Sequence, residues 1–220
     1  MSSKFLPFRD QSLNLTTSNG NLRLAELSDL EEIAAIHLKA FPDFFLSQLG
    51  VRFLYVMYKA FLLNPSGIFV VYETDRSSLS GFAVGHLQGT GSDRNIALRF
   101  LPEFIYAAIP ALIRHPVLIS RRLIMRFFDI GDKPEVPAEA ALLRSIAVNP
   151  NVRGHGLAAR LLQAFESLAC DGDAHYVYLT TDGVSNVRAQ RFYERQGYKV
   201  AERFRQDRSR WMWLMKKKIC

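Results

Sequence analysis

Residues 145–162 read "SIAVNPNVRGHGLAARLL": the end of an apolar strand, a polar turn, then the start of an amphipathic helix. Leu157, Leu161, Leu162, Phe165, Leu168 and Ala169 recur at helical spacing and form one apolar stripe. That stripe predicts a helix lying on a sheet, its N-terminus at the end of the preceding strand. Amides at such an end lack intrahelical partners, and the aligned peptide dipoles add positive character. Gly154 and Gly156 remove side chains there, so an anion can approach the amides, and Arg153 adds a cation. The stretch predicts a phosphate cradle; a tight turn alone is the plainer alternative.

Several phosphate ligands suit a cradle. "GHGLAA" (154–159) fits G-x-G-x-x-A, so a dinucleotide-binding protein stays open as one reading. Against it, "NPNVR" intervenes between Val148 and Gly154, and the next suitable acidic residue, Asp182, lies 26 positions past Gly156 rather than about 20. A nucleotide-binding P-loop is excluded, because no Gly-Lys-Ser/Thr occurs there.

A second stretch, "SNVRAQRFYERQGYKV" (185–200), follows one strand later. It sets Asn186, Ala189, Phe192, Tyr193, Gly197 and Tyr198 on an N-x-x-A-x-x-F-Y-x-x-x-G-[FY] frame. Together and in this order, the two stretches resemble the acyl-CoA-binding segment and the following helix of the GNAT superfamily of N-acetyltransferases. Asn151 departs from that family's loop, usually [QR]-x-x-G-x-[GA]. The resemblance implies an α/β (α+β) fold: a central mixed sheet of about six to seven strands flanked by helices, with a helical insertion between the third and fourth strands. It implies that the strand before the loop carries a bulge and splays from its neighbour, and that the pantetheine arm bonds to the backbone of Ile146, Ala147 and Val148. The pyrophosphate would rest on the amides of Arg153, Gly154, His155, Gly156, Leu157 and Ala158, with the His155 imidazole facing solvent. Asn186 would stand near the pantetheine, and Tyr193 would protonate the departing thiolate. The implied co-substrate is acetyl-CoA, with no metal.

The rest of the chain agrees in pattern. "NLRLAEL" (21–27) alternates like a strand, and Ser28 with Glu31 suggests a capping box for a helix over 29–41. One helical stretch is expected from Phe44 to Leu63, then a hairpin of "GIFVVYET" and "LSGFAVGHLQG". Prolines 102, 110 and 116 divide residues 93–128 into two or three short helices. Strands at 141–148 and 175–181, a helix at 185–197 and two closing strands complete the order. Residues 1–20 read as an N-terminal extension and 21–220 as a single domain with its insertion at about 93–130.

The chain has 220 residues, about half apolar, enough for a real core. The longest uncharged apolar run, "FIYAAIPALI", is too short to span a bilayer, and the first residues lack a signal-peptide core, so a cytoplasmic location is expected. Cys170 and Cys220 read as reduced thiols outside any metal-ligand spacing. Net charge is +7, and residues 199–220 supply much of it with eight basic and two acidic residues. These charges read as the solvated face of edge strands; no recognition helix or stacking motif supports nucleic-acid binding.

The expected chemistry is direct attack of a primary amine on the thioester in a ternary complex. A backbone N–H near Val148 can stabilise the oxyanion. The strand before the loop offers no carboxylate, so Glu139, just upstream, and His86, at the end of the preceding strand, are the candidate bases. The arginines 114, 121, 122 and 126 suit a small amine acceptor carrying acidic or phosphate groups, such as a nucleotide-linked amino sugar. The same apolar-plus-arginine pattern over 104–128 also suits peripheral membrane contact. A non-catalytic acyl-CoA-binding module is a further alternative, and the protein is expected as a monomer or homodimer.

Overall fold

A computed structural model describes residues 15–17, 20–74, 78–88, 98–114, 116, 136–152, 155–184, 186–206 and 210–220. Strands β2 (Gly20–Leu24), β3 (Gly67–Glu73), β4 (Leu79–Leu87), β5 (Ala140–Val148), β6 (Tyr176–Asp182), β7 (Lys199–Arg205) and β8 (Trp211–Lys218) form a mixed sheet. These are the expected six to seven strands. A three-residue strand, β1 (Leu15–Thr17), extends the edge, and the sheet order is β1-β2-β3-β4-β5-β6-β8-β7. Among the described strands only β5 and β6 run parallel, because the helix between them carries the chain back along the sheet.

That helix, α5 (Leu157–Asp171), buries all six residues of the stripe read from the sequence. It lies on one face with α6 (Val187–Arg195), over Leu22, Val70, Ala83, Leu143 and Leu179. Helices α1 (Leu30–Ala40) and α3 (Val51–Leu62) cover the other face, over Phe69, Val71, Phe82, Val84 and Ala147. Helix α4 (Leu101–Arg114) packs outside α3, setting Ala107, Ala108 and Ala111 on Leu49 and Phe53.

Four local readings are corrected. Ser28 is not the helix cap. A 3-10 turn, Leu27–Asp29, comes first, and Asp29 Oδ2 accepts from the Glu26 amide at 2.7 Å. Arg23 decides this by gripping both Asp29 oxygens, at 2.7 and 2.9 Å. The stretch 44–63 is broken into α2 (Phe45–Gln48) and α3, since Gly50 has φ +89°, a conformation that ends a helix. Pro110 does not divide the helix 101–114, which runs through it, while residues 98–99 are helical before a turn at Phe100. Pro110 and Tyr106 lie on the exposed side, where the Tyr106 carbonyl left without an amide can turn to water. Apart from Pro116, the remainder of 93–130 lies outside the described residues.

Cys170 and Cys220 are not free thiols; they form a disulfide with Cα atoms 6.1 Å apart. β8 runs back along β6, and the Ile219 amide bonds to His175 O at 3.0 Å, which brings Cys220 to the end of α5.

Candidate active site

Strand β5 pairs with β6 only over Ala140–Leu143 against Tyr176–Leu179. Beyond Leu143, β5 continues on β4 to Val148, while Thr180–Asp182 of β6 pair with β8 alone. The parallel strands therefore part, and residues 145–148 of β5 face the gap rather than pairing with β6. This is the splay expected around Ile146, Ala147 and Val148.

The bulge is at Arg144. Val84 pairs with Ser145 and Gly85 with Leu143, which leaves Arg144 as the extra residue on β5. One added residue exchanges the faces of every side chain after it. Ala141 and Leu143 join the α5 cluster before the bulge; after it, Ile146 and Val148 pack there, and Ala147 joins the α1–α3 cluster.

Ser145 turns to the α3 side as well, where its hydroxyl bonds to Tyr58. Tyr58 is fully buried, and its hydroxyl lies 2.6 Å from His37 Nδ1. Burial pushes the Tyr58 phenol up and the His37 imidazole down to about 4. His37 Nε2 is buried and has no hydrogen-bond partner among the described residues. This Ser145–Tyr58–His37 chain escaped the sequence reading, because three separate elements supply it.

The lowered His37 value has a consequence for stability. Between its ordinary value near 6.5 and about 4, the unfolded chain takes up a proton that the folded chain refuses. Stability is therefore held above pH 6.5 and falls as pH drops through 4, by about 3 kcal/mol for the whole shift. Chemical denaturation at pH 7 and 4.5 should show this loss, and His37→Gln should shrink it relative to wild type. Equal losses in both proteins would assign the acid sensitivity to other groups.

At the open end of β5, the Asn149 amide bonds to Ser80 O at 2.8 Å, and Pro150–Val152 form a 3-10 turn. The Asn151 amide donates to the Asn149 carboxamide at 3.2 Å. Arg153 and Gly154 lie outside the described residues. His155 is exposed, its Nδ1 3.4 Å from Val152 O. Gly156 has φ +69°, a left-handed conformation, and nothing lies within 4 Å of where its Cβ would stand. Intrahelical bonding starts with the Ala159 and Arg160 amides on Gly156 O. The Leu157 and Ala158 amides precede it, beside the bare glycine, as an anion cradle requires. Leu157 is buried and anchors this turn.

Across the gap, Asn186 caps α6, its side-chain oxygen accepting from the Ala189 amide at 3.3 Å. Gln190, which the sequence did not single out, holds Asp182 O at 2.7 Å and ties α6 to the end of β6. Tyr193 belongs to the same apolar cluster that Ile146 and Val148 pack against, with its ring 5.2 Å from Phe192 and 5.7 Å from Tyr198. Burial raises its phenol above the ordinary value, so it stays protonated. Behind it, Tyr198 donates to Glu166 at 2.9 Å and Lys217 meets the other Glu166 oxygen at 2.6 Å, joining α5 to β8.

The two candidate bases are placed differently. His86 is buried in β4 opposite Gly67 and Leu142. Glu139 is exposed in the turn before β5, at the strand end away from the gap. Two glycines of "SGFAVGHL" also shape the site. A Cβ at Gly81 would stand 2.7 Å from Ala147 O, and one at Gly85 would overlap Leu142 O. A glycine inside an apolar strand was the available sign of such close approach. Among the described residues, no group of three or more His, Cys, Asp or Glu is placed to hold a metal ion.

Residues 119–198 match the model of the acetyltransferase (GNAT) family. Known structures share the fold at low identity. The ribosomal-protein-S18-alanine N-acetyltransferase of Escherichia coli is 15% identical, with a TM-score of 0.56 over 91% of this chain and 94% of that one. Naa20 of Chaetomium thermophilum, solved with a bisubstrate analogue, is 20% identical, with a TM-score of 0.56 over 90% of this chain and 86% of its own. The PaiA N-acetyltransferase of Thermoplasma acidophilum, solved with coenzyme A, is 15% identical, with a TM-score of 0.56 over 90% of this chain and 97% of its own. No curated protein matches the sequence significantly. Residues 119–198 thus resemble the GNAT acetyltransferase family, and the chain shares the fold of these N-acetyltransferase structures.

Proposed function

We propose that this protein transfers an acetyl group from acetyl-CoA to a primary amine by direct attack in a ternary complex. The observation that carries the reading is the gap between β5 and β6, which ends on the left-handed Gly156 and the first amides of α5. In this reading the gap takes the pantetheine arm along Ile146, Ala147 and Val148. The loop from Arg153 to Ala158 takes the pyrophosphate, and the Asn186 carboxamide flanks the arm.

The amine comes from the α1–α3 face, past the Ser145 hydroxyl that the bulge turns there. As the C–N bond forms, a free β5 amide near Val148 stabilises the oxyanion. The C–S bond then breaks, and Tyr193 donates to the sulfur. The amine's proton leaves to water. His37, neutral down to about pH 4, is too weak a base to keep it. The acceptor class that fits Arg121, Arg122 and Arg126 is an amine on an acidic or phosphorylated carrier, such as a nucleotide-linked amino sugar.

Calorimetric titration with acetyl-CoA, with NADH in parallel, tests the reading. Micromolar binding of acetyl-CoA and none of NADH is expected. NADH binding without acetyl-CoA binding would make the loop a dinucleotide cradle and remove Tyr193 from its role. Acetyl-CoA binding without turnover on any amine of the class would reduce the protein to an acyl-CoA-binding module.

A further inference from the structure

Helix α4 is apolar on two sides. Phe104, Ala107, Ala108, Ala111 and Leu112 pack toward α3. The opposite side, with Leu98 just before the helix, sets Leu98, Ile105, Tyr106, Ile109 and Ile113 in one stripe. These residues are 57%, 57%, 68%, 42% and 76% exposed. Within the helix, Ile105, Tyr106, Ile109 and Ile113 stand one, three and four residues apart and cover one line; Leu98 lies seven residues before Ile105, ahead of the helix. With residue areas of about 200 Å² each, the stripe leaves on the order of 600 Å² of mostly apolar surface in water. That is the upper end of what a monomer carries, and such patches mark interaction sites.

The charges beside the stripe favour one partner. Arg99 and Arg114 flank it, both exposed. The one acidic residue of the helix, Glu103, is 3.1 Å from Lys59 and is neutralised by it. Over 98–128 the sequence holds five arginines against that single acid. A second copy of the chain would bring the same cations to face these, and the stripe falls short of the roughly 800 Å² per partner that a stable dimer buries. A convex single-helix stripe bordered by cations instead suits the interface of an anionic bilayer, where the apolar side sinks to about the headgroup boundary. Among the described residues no helix is long and apolar enough to cross a membrane, so the contact is peripheral.

We propose that the exposed side of α4 docks this enzyme on anionic lipid membranes. The inference stands apart from the acetyl-transfer reading, since none of these residues touches the gap between β5 and β6.

Co-sedimentation of the full chain with vesicles tests it. Phosphatidylcholine vesicles containing phosphatidylglycerol should bind the protein, and pure phosphatidylcholine should bind it more weakly. The triple variant Ile105→Ser, Ile109→Ser, Ile113→Ser should lose at least about tenfold in partitioning. Arg99→Gln with Arg114→Gln should reduce binding to the anionic vesicles alone. Melting temperature and acetyl-CoA affinity should stay unchanged in all variants, because every altered side chain is exposed. If the triple variant misfolds, the single change Ile113→Ser, at the most exposed position, gives the same reading by a smaller loss. Failure of wild type to bind either vesicle overturns the proposal, as does undiminished binding of the stripe variants. A dimer in sedimentation equilibrium that the stripe variants disperse, without vesicle binding, would give the surface to a second copy.

Discussion

Tyr193→Phe is expected to lower kcat about 100-fold, or about 2.7 kcal/mol of transition-state stabilisation. The figure sits at the low end for a general acid for a physical reason. A thiol titrates near 8.5 and tyrosine near 10, and burial raises the Tyr193 phenol further. Full proton transfer to a thiolate is therefore uphill, and most of the benefit comes from hydrogen-bond donation as charge grows on sulfur. The hydroxyl plays no part in binding the pyrophosphate, so acetyl-CoA affinity by calorimetry should be unchanged. The ring stays, packed with Phe192 and Tyr198, so the melting temperature should move little. A kcat within about threefold of wild type would make Tyr193 a core aromatic and leave the proton to water.

Gly85→Ala is expected to destabilise the fold by about 3 kcal/mol, a melting-temperature loss of roughly 6–12 °C for a chain of this length. The added Cβ would overlap Leu142 O and stand 2.7 Å from the Phe165 ring, which is fully buried. Neither neighbour can yield cheaply, because one is ladder backbone and the other is the centre of the α5 face. Gly85 also lies beside the bulge, opposite Leu143. Any backbone shift that relieves the clash moves Arg144 and Ser145, so activity per folded molecule should fall along with stability. A loss under about 1 kcal/mol, measured by chemical denaturation, would show that the strand pair relaxes without strain.

The order of strands and helices was legible in the sequence, because period-two and helical patterns are local properties of a few neighbouring residues. The α5 stripe from Leu157 to Ala169 is buried as read, and Gly156 stands in the left-handed turn at its start. The frame from Asn186 to Tyr198 likewise placed α6. Local rules failed where distant groups intervene. Arg23 moved the α1 cap from Ser28 to Glu26 and Asp29. The outward face of Pro110 let α4 continue where a proline normally stops a helix.

The sequence by itself determined the class of fold and the strand–turn–helix that can cradle a phosphate, and it offered Tyr193 as the candidate acid of the proposed mechanism. Only the tertiary structure decided where the bulge falls. The extra residue is defined by how β5 pairs with β4, and it changes which face each later side chain takes. The same pairing put Ser145 against Tyr58 and His37, and Gly85 against Leu142 and Phe165. These partners stand many tens of residues apart in the chain, so no local pattern encodes their contact; the packing of sheet on helix brings them together.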